Sequence, residues 1–248
     1  MQMESFFTKI QYTKPMISIE SQLHLAEKQI FSRRIDAICA ATILEIGTYK
    51  GGGSTLTFLE ALKHQNSGML IGIEADPDVF AEMKANIASV DPGYFAFFEP
   101  ISGFSQSVIP GLLTKYPRFD LVFLDGGNNP REQIEEFELL KDAIPVGGFL
   151  FSHDANLRKG HWLVPYLSEL DNWRVTIHQA SEEGLLEAEK IGLTPSPASL
   201  NRAGKVLRAR MLSPVELATL LFPSGFKGFV LKLLPLKLRR RIAEGRKQ

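Results

Sequence analysis

The sequence has few of the features that mark a secreted or membrane-spanning protein. Its single cysteine, Cys39, cannot form an internal disulfide. No apolar run approaches the ~18 residues that a membrane-spanning helix needs, and the first residues, MQMESFFTKIQYTK, lack the apolar core of a signal peptide. We therefore expect a cytoplasmic protein in which Cys39, within an apolar helical stretch, is a core residue.

The chain also lacks a net charge, since its 28 basic residues balance its 28 acidic ones, and no overall field draws it to nucleic acid. The balance conceals a split. Residues 1–193 hold 16 basic and 26 acidic residues, whereas residues 194–248 hold 12 basic and two acidic ones. A Pro/Ser-rich stretch at 194–200 predicts a linker at the change of sign. We predict a main domain over 1–193 and a basic, amphipathic helical tail over 194–248.

The tail has three candidate partners. Large apolar residues alternate there with lysine and arginine, a composition that suits an anionic membrane surface. A second subunit, giving a homo-oligomer, and the acidic domain of the same chain suit it as well. Nucleic acid is not expected, because the basic run is short and its aromatic residues are not interleaved as a stacking platform.

Short apolar runs in the main domain alternate with amphipathic stretches. The runs occupy residues 42–47, 69–74, 94–99, 120–125 and 148–153. They are apolar on both faces, as strands covered by helices on both sides are. Asp76-Pro77 and Asn129-Pro130 are typical helix starts between them. This alternation predicts an α/β, Rossmann-like, doubly wound and mostly parallel sheet, which residues 172–179 and 185–192 would close as an antiparallel hairpin.

The segment LEIGTYKGGGST, residues 44–55, predicts a ligand site at the carboxyl edge of that sheet. It is a strand followed by a glycine-rich turn into a helix. Gly47 allows the backbone to turn tightly beside a ligand. A second acid, Glu74, ends the next strand, where a carboxylate can accept hydrogen bonds from both hydroxyls of a ribose. These features together indicate a cofactor that contains a nucleoside.

The same segment disfavours a dinucleotide. Counting from Gly47, Tyr49 stands where the dinucleotide fingerprint has its second glycine, the one that lets the backbone approach a pyrophosphate. The carboxylate of Glu45 would also face phosphate charge. A cationic ligand with a sulfonium and an ammonium group tolerates that acid.

Five segments resemble the ordered motifs of small-molecule O-methyltransferases. They are LEIGTYKGGGS, IEADP, ISGFSQSVIPGLL, FDLVFLDGG and GGFLFSHDA. The resemblance is to class I S-adenosylmethionine-dependent enzymes, namely the catechol O-methyltransferase group and the bacterial methyltransferase 24 type, and it covers roughly residues 20–192. It implies a seven-stranded sheet with one antiparallel strand. It also implies S-adenosylmethionine as cofactor and an oxygen of a small molecule as methyl acceptor.

The resemblance also implies roles for individual residues. It assigns the methionine part of the cofactor to Glu45, Gly47, Tyr49 and Ser54, the ribose to Glu74, the adenine to Gly103, Ser105 and Gln106, and the closing of the site to Asp125. The side chains of Ser105 and Gln106 offer the donors and acceptors that an adenine edge needs, although Ser105 also suits a helix cap. This chain has one glycine more after Lys50 than most relatives, which leaves the partner within residues 51–54 open.

The chemical end of the site departs from the family pattern. Asp125 and Asp154 match the two aspartates that hold Mg²⁺ in catechol-type enzymes. Ala155 stands where those enzymes have asparagine, and Asn128 where they have a catalytic lysine. The sequence therefore leaves dependence on Mg²⁺ or another divalent cation open. It also leaves open a cofactor-binding relative without catalysis, and a nicotinamide-dependent oxidoreductase of the same architecture.

The residues alone, without the family resemblance, make His153 the candidate general base. It lies beside Asp154 at a strand end, and an ordinary histidine pKa suits proton removal near neutrality. His161 and His178 are lesser candidates, and Trp162 is a candidate for the wall of an acceptor pocket.

Overall fold

The computed structural model describes residues 19–212, with the exception of Gln22 and Asn128. Seven strands form one sheet: β1 (Thr42–Ile46), β2 (Met69–Glu74), β3 (Phe98–Ser102), β4 (Leu121–Leu124), β5 (Phe149–Ser152), β6 (Trp173–His178) and β7 (Leu185–Lys190). Their order across the sheet is β3-β2-β1-β4-β5-β7-β6, and β7 runs antiparallel to both of its neighbours. The predicted mostly parallel, seven-stranded sheet with a closing hairpin is confirmed.

Helices cover both faces of the sheet, as predicted. They are α1 (Leu25–Ile38), α2 (Ser54–Gln65), α3 (Pro77–Val90), α4 (Ser105–Lys115), α5 (Pro130–Leu140), α6 (Leu163–Glu169) and α7 (Pro197–Met211). One apolar layer packs α1, α2 and α3 against one face of the sheet, and the other packs α4, α5, α6 and α7 against the opposite face. Phe31 is the centre of the first layer, with its ring centroid 4.9–5.0 Å from those of Phe58, Phe123 and Phe151 in edge-on contacts.

Helix starts follow the local signals of the sequence. The Asp76 carboxylate accepts hydrogen bonds from the backbone N–H groups of Asp78 and Val79 at the start of α3. Asn129 accepts one from the N–H of Arg131 at the start of α5. Each cap precedes a proline, whose missing N–H costs nothing in the first helical turn. These caps fix where the loops at the carboxyl edge of the sheet end.

The third strand lies four residues later than predicted. Pro92–Ala96 forms a 3₁₀ turn, because the Asp91 carboxylate accepts a hydrogen bond from the N–H of Gly93 and Pro92 sets the first turn. The run expected as a strand at 94–99 is therefore mostly this turn, and β3 begins at Phe98.

Two further predictions are wrong. Cys39 is exposed and caps the end of α1 with a left-handed backbone, φ 47°, so it is not a core residue. The linker expected at 194–200 holds the start of a helix, because the Ser196 hydroxyl accepts a hydrogen bond from the N–H of Ser199 and begins α7. The α7 helix packs on α6, and its Ala203 is fully buried in the second apolar layer. Residues 213–248, most of the predicted tail, lie outside the described residues.

Candidate functional site

A cavity of about 510 Å³ opens at the carboxyl edge of the sheet, beside the ends of β1, β2, β3 and β4. The loops after parallel strands meet at this edge, which is where ligands bind in open α/β sheets. The predicted residues that line it are Gly47, Tyr49, Glu74, Gly103, Ser105, Gln106, Asp125 and Asp154. Segments up to 107 residues apart in the chain therefore meet in one cavity.

Gly47 allows the first loop to approach the fourth strand. Its φ is +90°, in the left-handed region that favours glycine. A Cβ atom there would lie 2.6 Å from the backbone carbonyl of Asp125 and from the nitrogen of Gly126. Only glycine fits this contact without displacing the end of β4.

The Glu74 carboxylate is oriented by main-chain donors. Its Oε2 accepts a hydrogen bond from the N–H of Tyr49 at 2.9 Å, and its Oε1 accepts one from the N–H of Asp76 at 3.1 Å. Each carboxylate oxygen has a further lone pair. The acid at the end of β2 can therefore still accept hydrogen bonds from a ligand in the cavity.

Two other predicted cofactor residues lie beneath the cavity wall. Glu45 is fully buried, and it accepts hydrogen bonds from the hydroxyls of Ser54 and, at 2.8 Å, of Thr55. Burial raises the pKa of Glu45 to about 8, although these two hydroxyls oppose the shift. The expectation that Glu45 and Ser54 line the cavity is not met: they join β1 to the start of α2.

Ser105 and Glu136 form a polar pair at the far wall of the cavity. The Ser105 hydroxyl donates to Glu136 Oε1 at 2.6 Å and also lies 3.0 Å from the Gln106 side-chain oxygen. Burial raises the pKa of Glu136 to about 7. Our sequence reasoning missed Glu136, although it lies on the same helical face as Gln133, Phe137 and Leu140, which are buried. An acid in such an apolar stripe is a detectable signal.

Lys159 is the other residue that our sequence reasoning missed. Its side chain is only 4% exposed, and its Nζ lies 2.8 Å from Asp125 Oδ1 and 3.5 Å from Asp154 Oδ2. It is the single basic residue among the described residues that line the cavity. Only its position five residues after Asp154 distinguishes it in the sequence, and that spacing carries no known signature.

The predicted general base, His153, lies behind the cavity wall. Its Nδ1 is 3.2 Å from Asp154 Oδ1 and 3.8 Å from Asp125 Oδ1, and its Nε2 is 3.6 Å from Glu27 Oε2 on α1. Burial alone would lower the pKa of His153, but these surrounding carboxylates raise it to about 10. Since His153 does not line the cavity and its surrounding carboxylates favour the protonated ring, which cannot accept a proton, the arrangement does not favour His153 as the general base.

The two aspartates differ in their environment. Burial raises the pKa of Asp125, and the opposing charges of Lys159 and His153 only partly offset it. For Asp154, burial is outweighed by the hydrogen bond from His153 and the charge of Lys159, which hold its pKa below the usual range. Asp125 is therefore the better proton acceptor of the two.

The lesser candidates lie elsewhere. His178 is paired with Glu187 at 2.9 Å, and Trp162 is buried beside α6. His161 lines a separate, open cavity between α6 and α7. Asn128, where catechol-type enzymes have lysine, lies outside the described residues.

Comparison with known proteins finds similarity to methyltransferases, the class that the motifs resemble. Residues 44–155 match the methyltransferase 24 family, described as a methyltransferase domain. The transmembrane O-methyltransferase of Homo sapiens is 31% identical over 156 residues, which are 60% of this chain and 51% of that protein. The chain thus spans about half the length of the curated relatives it matches. Among its described residues, no helix has both the length and the apolar character to cross a membrane.

Solved structures share the fold. The O-methyltransferase TomG of Streptomyces achromogenes, which is involved in tomaymycin synthesis and was solved with S-adenosylmethionine, superposes with a TM-score of 0.57 at 21% identity, over 68% of this chain and 82% of that one. An O-methyltransferase of Bacillus cereus, solved with S-adenosylhomocysteine, gives 0.55 at 16% identity, over 70% and 84%. At these identities the likeness establishes the fold.

Proposed function

We propose that this chain binds S-adenosylmethionine and transfers its methyl group to an oxygen of a small molecule, as the match of residues 44–155 to the methyltransferase 24 family suggests. One observation carries the proposal: the cavity is strongly acidic. Its carboxylates are Glu74, Asp125, Glu132, Glu136 and Asp154, against Lys159 alone. Such a lining attracts a ligand with sulfonium and ammonium charges and repels the pyrophosphate of a nicotinamide cofactor.

The nucleoside half of the cofactor would occupy the side of the cavity next to β2 and β3. Glu74 keeps lone pairs for the ribose hydroxyls, and the side-chain amide of Gln106 keeps its N–H donors for the base. Gly103, in the loop before α4, has φ +147°, a backbone conformation that favours glycine, and it lines the cavity without a side chain. Adenosine recognition is thus assigned to residues 74 and 103–106.

The methyl group would be transferred at the side of the cavity next to β4 and β5. A bound S-adenosylmethionine would supply an electrophilic methyl group to the acceptor hydroxyl oxygen, and its sulfur, left as a neutral thioether with the electron pair of the broken C–S bond, would be the leaving group. The hydroxyl proton passes to a carboxylate, for which Asp125 is the candidate. Its raised pKa makes it a stronger base than an ordinary aspartate.

Calorimetry on the full chain tests the cofactor assignment. We expect S-adenosylmethionine and its demethylated product to bind and NAD not to bind. Methyl transfer to a panel of phenols, sugars and other hydroxyl acceptors then tests the activity. Tight NAD binding without S-adenosylmethionine binding would refute the assignment, whereas cofactor binding without transfer to any acceptor would favour a relative without catalysis.

We propose that residues 213–248, the part of the basic tail beyond α7, are a docking element and not part of the cofactor site. Every cofactor motif in the sequence lies before residue 155, and among the described residues those that line the cavity lie between positions 46 and 159. Because α7 packs on α6, the informative truncation is after residue 212, not after residue 193 as the predicted domain boundary suggests. We expect the shortened chain to bind S-adenosylhomocysteine normally, but to differ in oligomeric state or in binding to anionic liposomes at low salt. Loss of cofactor binding would place the tail within the catalytic domain.

A further inference from the structure

The two carboxylates that the family resemblance assigns to a divalent cation already face a cation of this chain. The Lys159 ammonium lies 2.8 Å from Asp125 and 3.5 Å from Asp154. The ammonium is almost fully buried, so water solvates it little, and the two carboxylates take the place of water around the charge.

The remaining donors do not fit a metal site well. Ala155 offers no side-chain oxygen, and the amide of Asn156 points to the β6–β7 hairpin, where it donates to Gln179 Oε1 at 2.8 Å and to the carbonyl of Glu182. His153 can bring a ring nitrogen within 4.8 Å of both aspartate oxygens. Its nitrogens, however, face the carboxylates of Asp154 and Glu27. Mg²⁺, which requires near-octahedral oxygen ligands, is poorly served by this set.

The backbone positions Lys159 firmly. A Cβ atom at Gly160 would lie 2.5 Å from the Ala155 carbonyl oxygen, so glycine permits the loop to fold back on itself next to the lysine. The N–H of Ala155 donates to the carbonyl of Gly184, and that of Asn156 to the carbonyl of Glu183. The loop is thus held to the β6–β7 hairpin on one side and brings Lys159 to the cavity on the other.

We propose that the Lys159 ammonium serves as the resident cation of this site in place of a divalent metal ion, and that it binds one oxygen of the methyl acceptor. An ammonium group has three N–H donors, and two of them face Asp125 and Asp154. One donor is left for the acceptor. A metal ion can hold two neighbouring oxygens at once, whereas this site holds one, so its acceptors need a single hydroxyl and no vicinal pair. The part that concerns the acceptor rests on the proposed methyltransferase function.

A manganese titration of the full chain, followed by electron paramagnetic resonance, tests the proposal. The variants are Lys159→Met, which removes the charge at similar length, Lys159→Arg, which keeps a cation, and Lys115→Met, which removes an exposed lysine outside the cavity. We expect no stoichiometric Mn²⁺ site in the unaltered chain, in Lys159→Arg or in Lys115→Met. Lys159→Met should bind one Mn²⁺ at least ~10-fold more tightly, because two close carboxylates then lack a counter-charge.

Two results of the manganese titration would overturn the proposal. One is a single Mn²⁺ bound by the unaltered chain and lost in Asp154→Ala, a measurement that stands even if Lys159→Met does not fold. The other is a folded Lys159→Met variant that binds Mn²⁺ no better than the unaltered chain. S-adenosylhomocysteine calorimetry on the same samples tests the proposed function separately, because the ion titration is read without cofactor or acceptor.

The acceptor part of the proposal is tested by methylation rates. A phenol and the matching catechol should be methylated at similar rates without added metal. Strict preference for the catechol, abolished by chelator, would refute single-oxygen binding.

Discussion

The two sides of the cavity are held by different kinds of interaction. Next to β2 and β3, main-chain N–H groups of nearby residues orient Glu74. Next to β4 and β5, Asp125 and Asp154 are held by the charges of Lys159 and His153. Main-chain donors survive most substitutions, whereas a buried charge group loses its balance when one member is removed. The β4–β5 side of the cavity should therefore be more sensitive to single substitutions than the β2–β3 side.

The largest expected effect is that of Asp154→Asn on methyl transfer. Asp154 has φ +61°, which asparagine also tolerates, so the substitution removes charge with little backbone strain. Without that charge Lys159 and His153 lose a shared partner, and transfer should fall about 10²–10³-fold, as when one preorganised electrostatic group is lost. S-adenosylhomocysteine affinity, measured by calorimetry, should stay nearly unchanged. Asp78→Asn, at an exposed position on α3, is the control; equal losses in both variants would contradict the assignment.

Gly47→Ala tests the point at which the two sides touch. The added Cβ atom would meet the end of β4 at 2.6 Å, at a backbone conformation that alanine rarely adopts. Strain and overpacking together should lower the free energy of unfolding by about 2–5 kcal/mol, seen as a melting temperature lower by roughly 5–15 °C. Gly111→Ala is the matched control, because a Cβ atom there has no neighbour within 4 Å. Similar melting temperatures for the two variants would mean that the contact is not close.

Glu74→Ala tests the β2–β3 side directly. We expect S-adenosylmethionine to bind about 1–3 kcal/mol more weakly, the scale for losing hydrogen bonds to a charged group. Glu74→Gln keeps one acceptor oxygen and should lose less. If the affinity of Glu74→Ala measured by calorimetry were unchanged, the proposed contact between Glu74 and the ribose would be wrong.

The smallest effect concerns Glu45, which lies beneath both sides. Burial raises its pKa from 4.5 to about 8 in the folded chain. Across that window the folded state retains a proton that the unfolded state releases, so this residue lowers the free energy of unfolding as pH rises. Glu45→Gln should therefore gain stability over the unaltered chain with rising pH, by at most about 1.4 kcal/mol per pH unit. Urea unfolding at about pH 5 and about pH 6 measures the difference, and a gap that is constant with pH would contradict the shift.

Local sequence signals predicted most of the fold and one side of the cavity. β2 has the predicted bounds, and β1 ends one residue early, because both are apolar runs between strong turn signals. The third strand was misplaced because the Asp91-Pro92 turn outweighs an aromatic run. Motif residues such as Gly47 and Glu74 were found because their neighbours in the chain define their position.

The charge group on the β4–β5 side, which consists of Asp125, His153, Asp154 and Lys159, depends on residues that are distant in the chain. Lys159 reaches Asp125 across 34 positions, and Glu27 reaches His153 from the first helix. No local sequence pattern predicts such contacts, because the residues that flank a lysine in the sequence do not distinguish a buried lysine from an exposed one. Glu45 was assigned to the ligand because a strand-end acid has the same pattern whether it faces a cavity or the first turn of α2.

The attachment of the Asp154–Lys159 loop to Gly184 has a consequence for synthesis of the chain. On the ribosome, Glu74 emerges about 110 residues and Gln106 about 80 residues before Gly184 in the hairpin that anchors this loop. Glu27 emerges earliest of all, yet its partners His153 and Ser181 follow more than a hundred residues later. The loop that carries Lys159 therefore cannot be anchored until the β6–β7 hairpin has been synthesised. Completion of the charge group should come late in folding, because its contact between Glu27 and His153 joins residues that are far apart in the sequence.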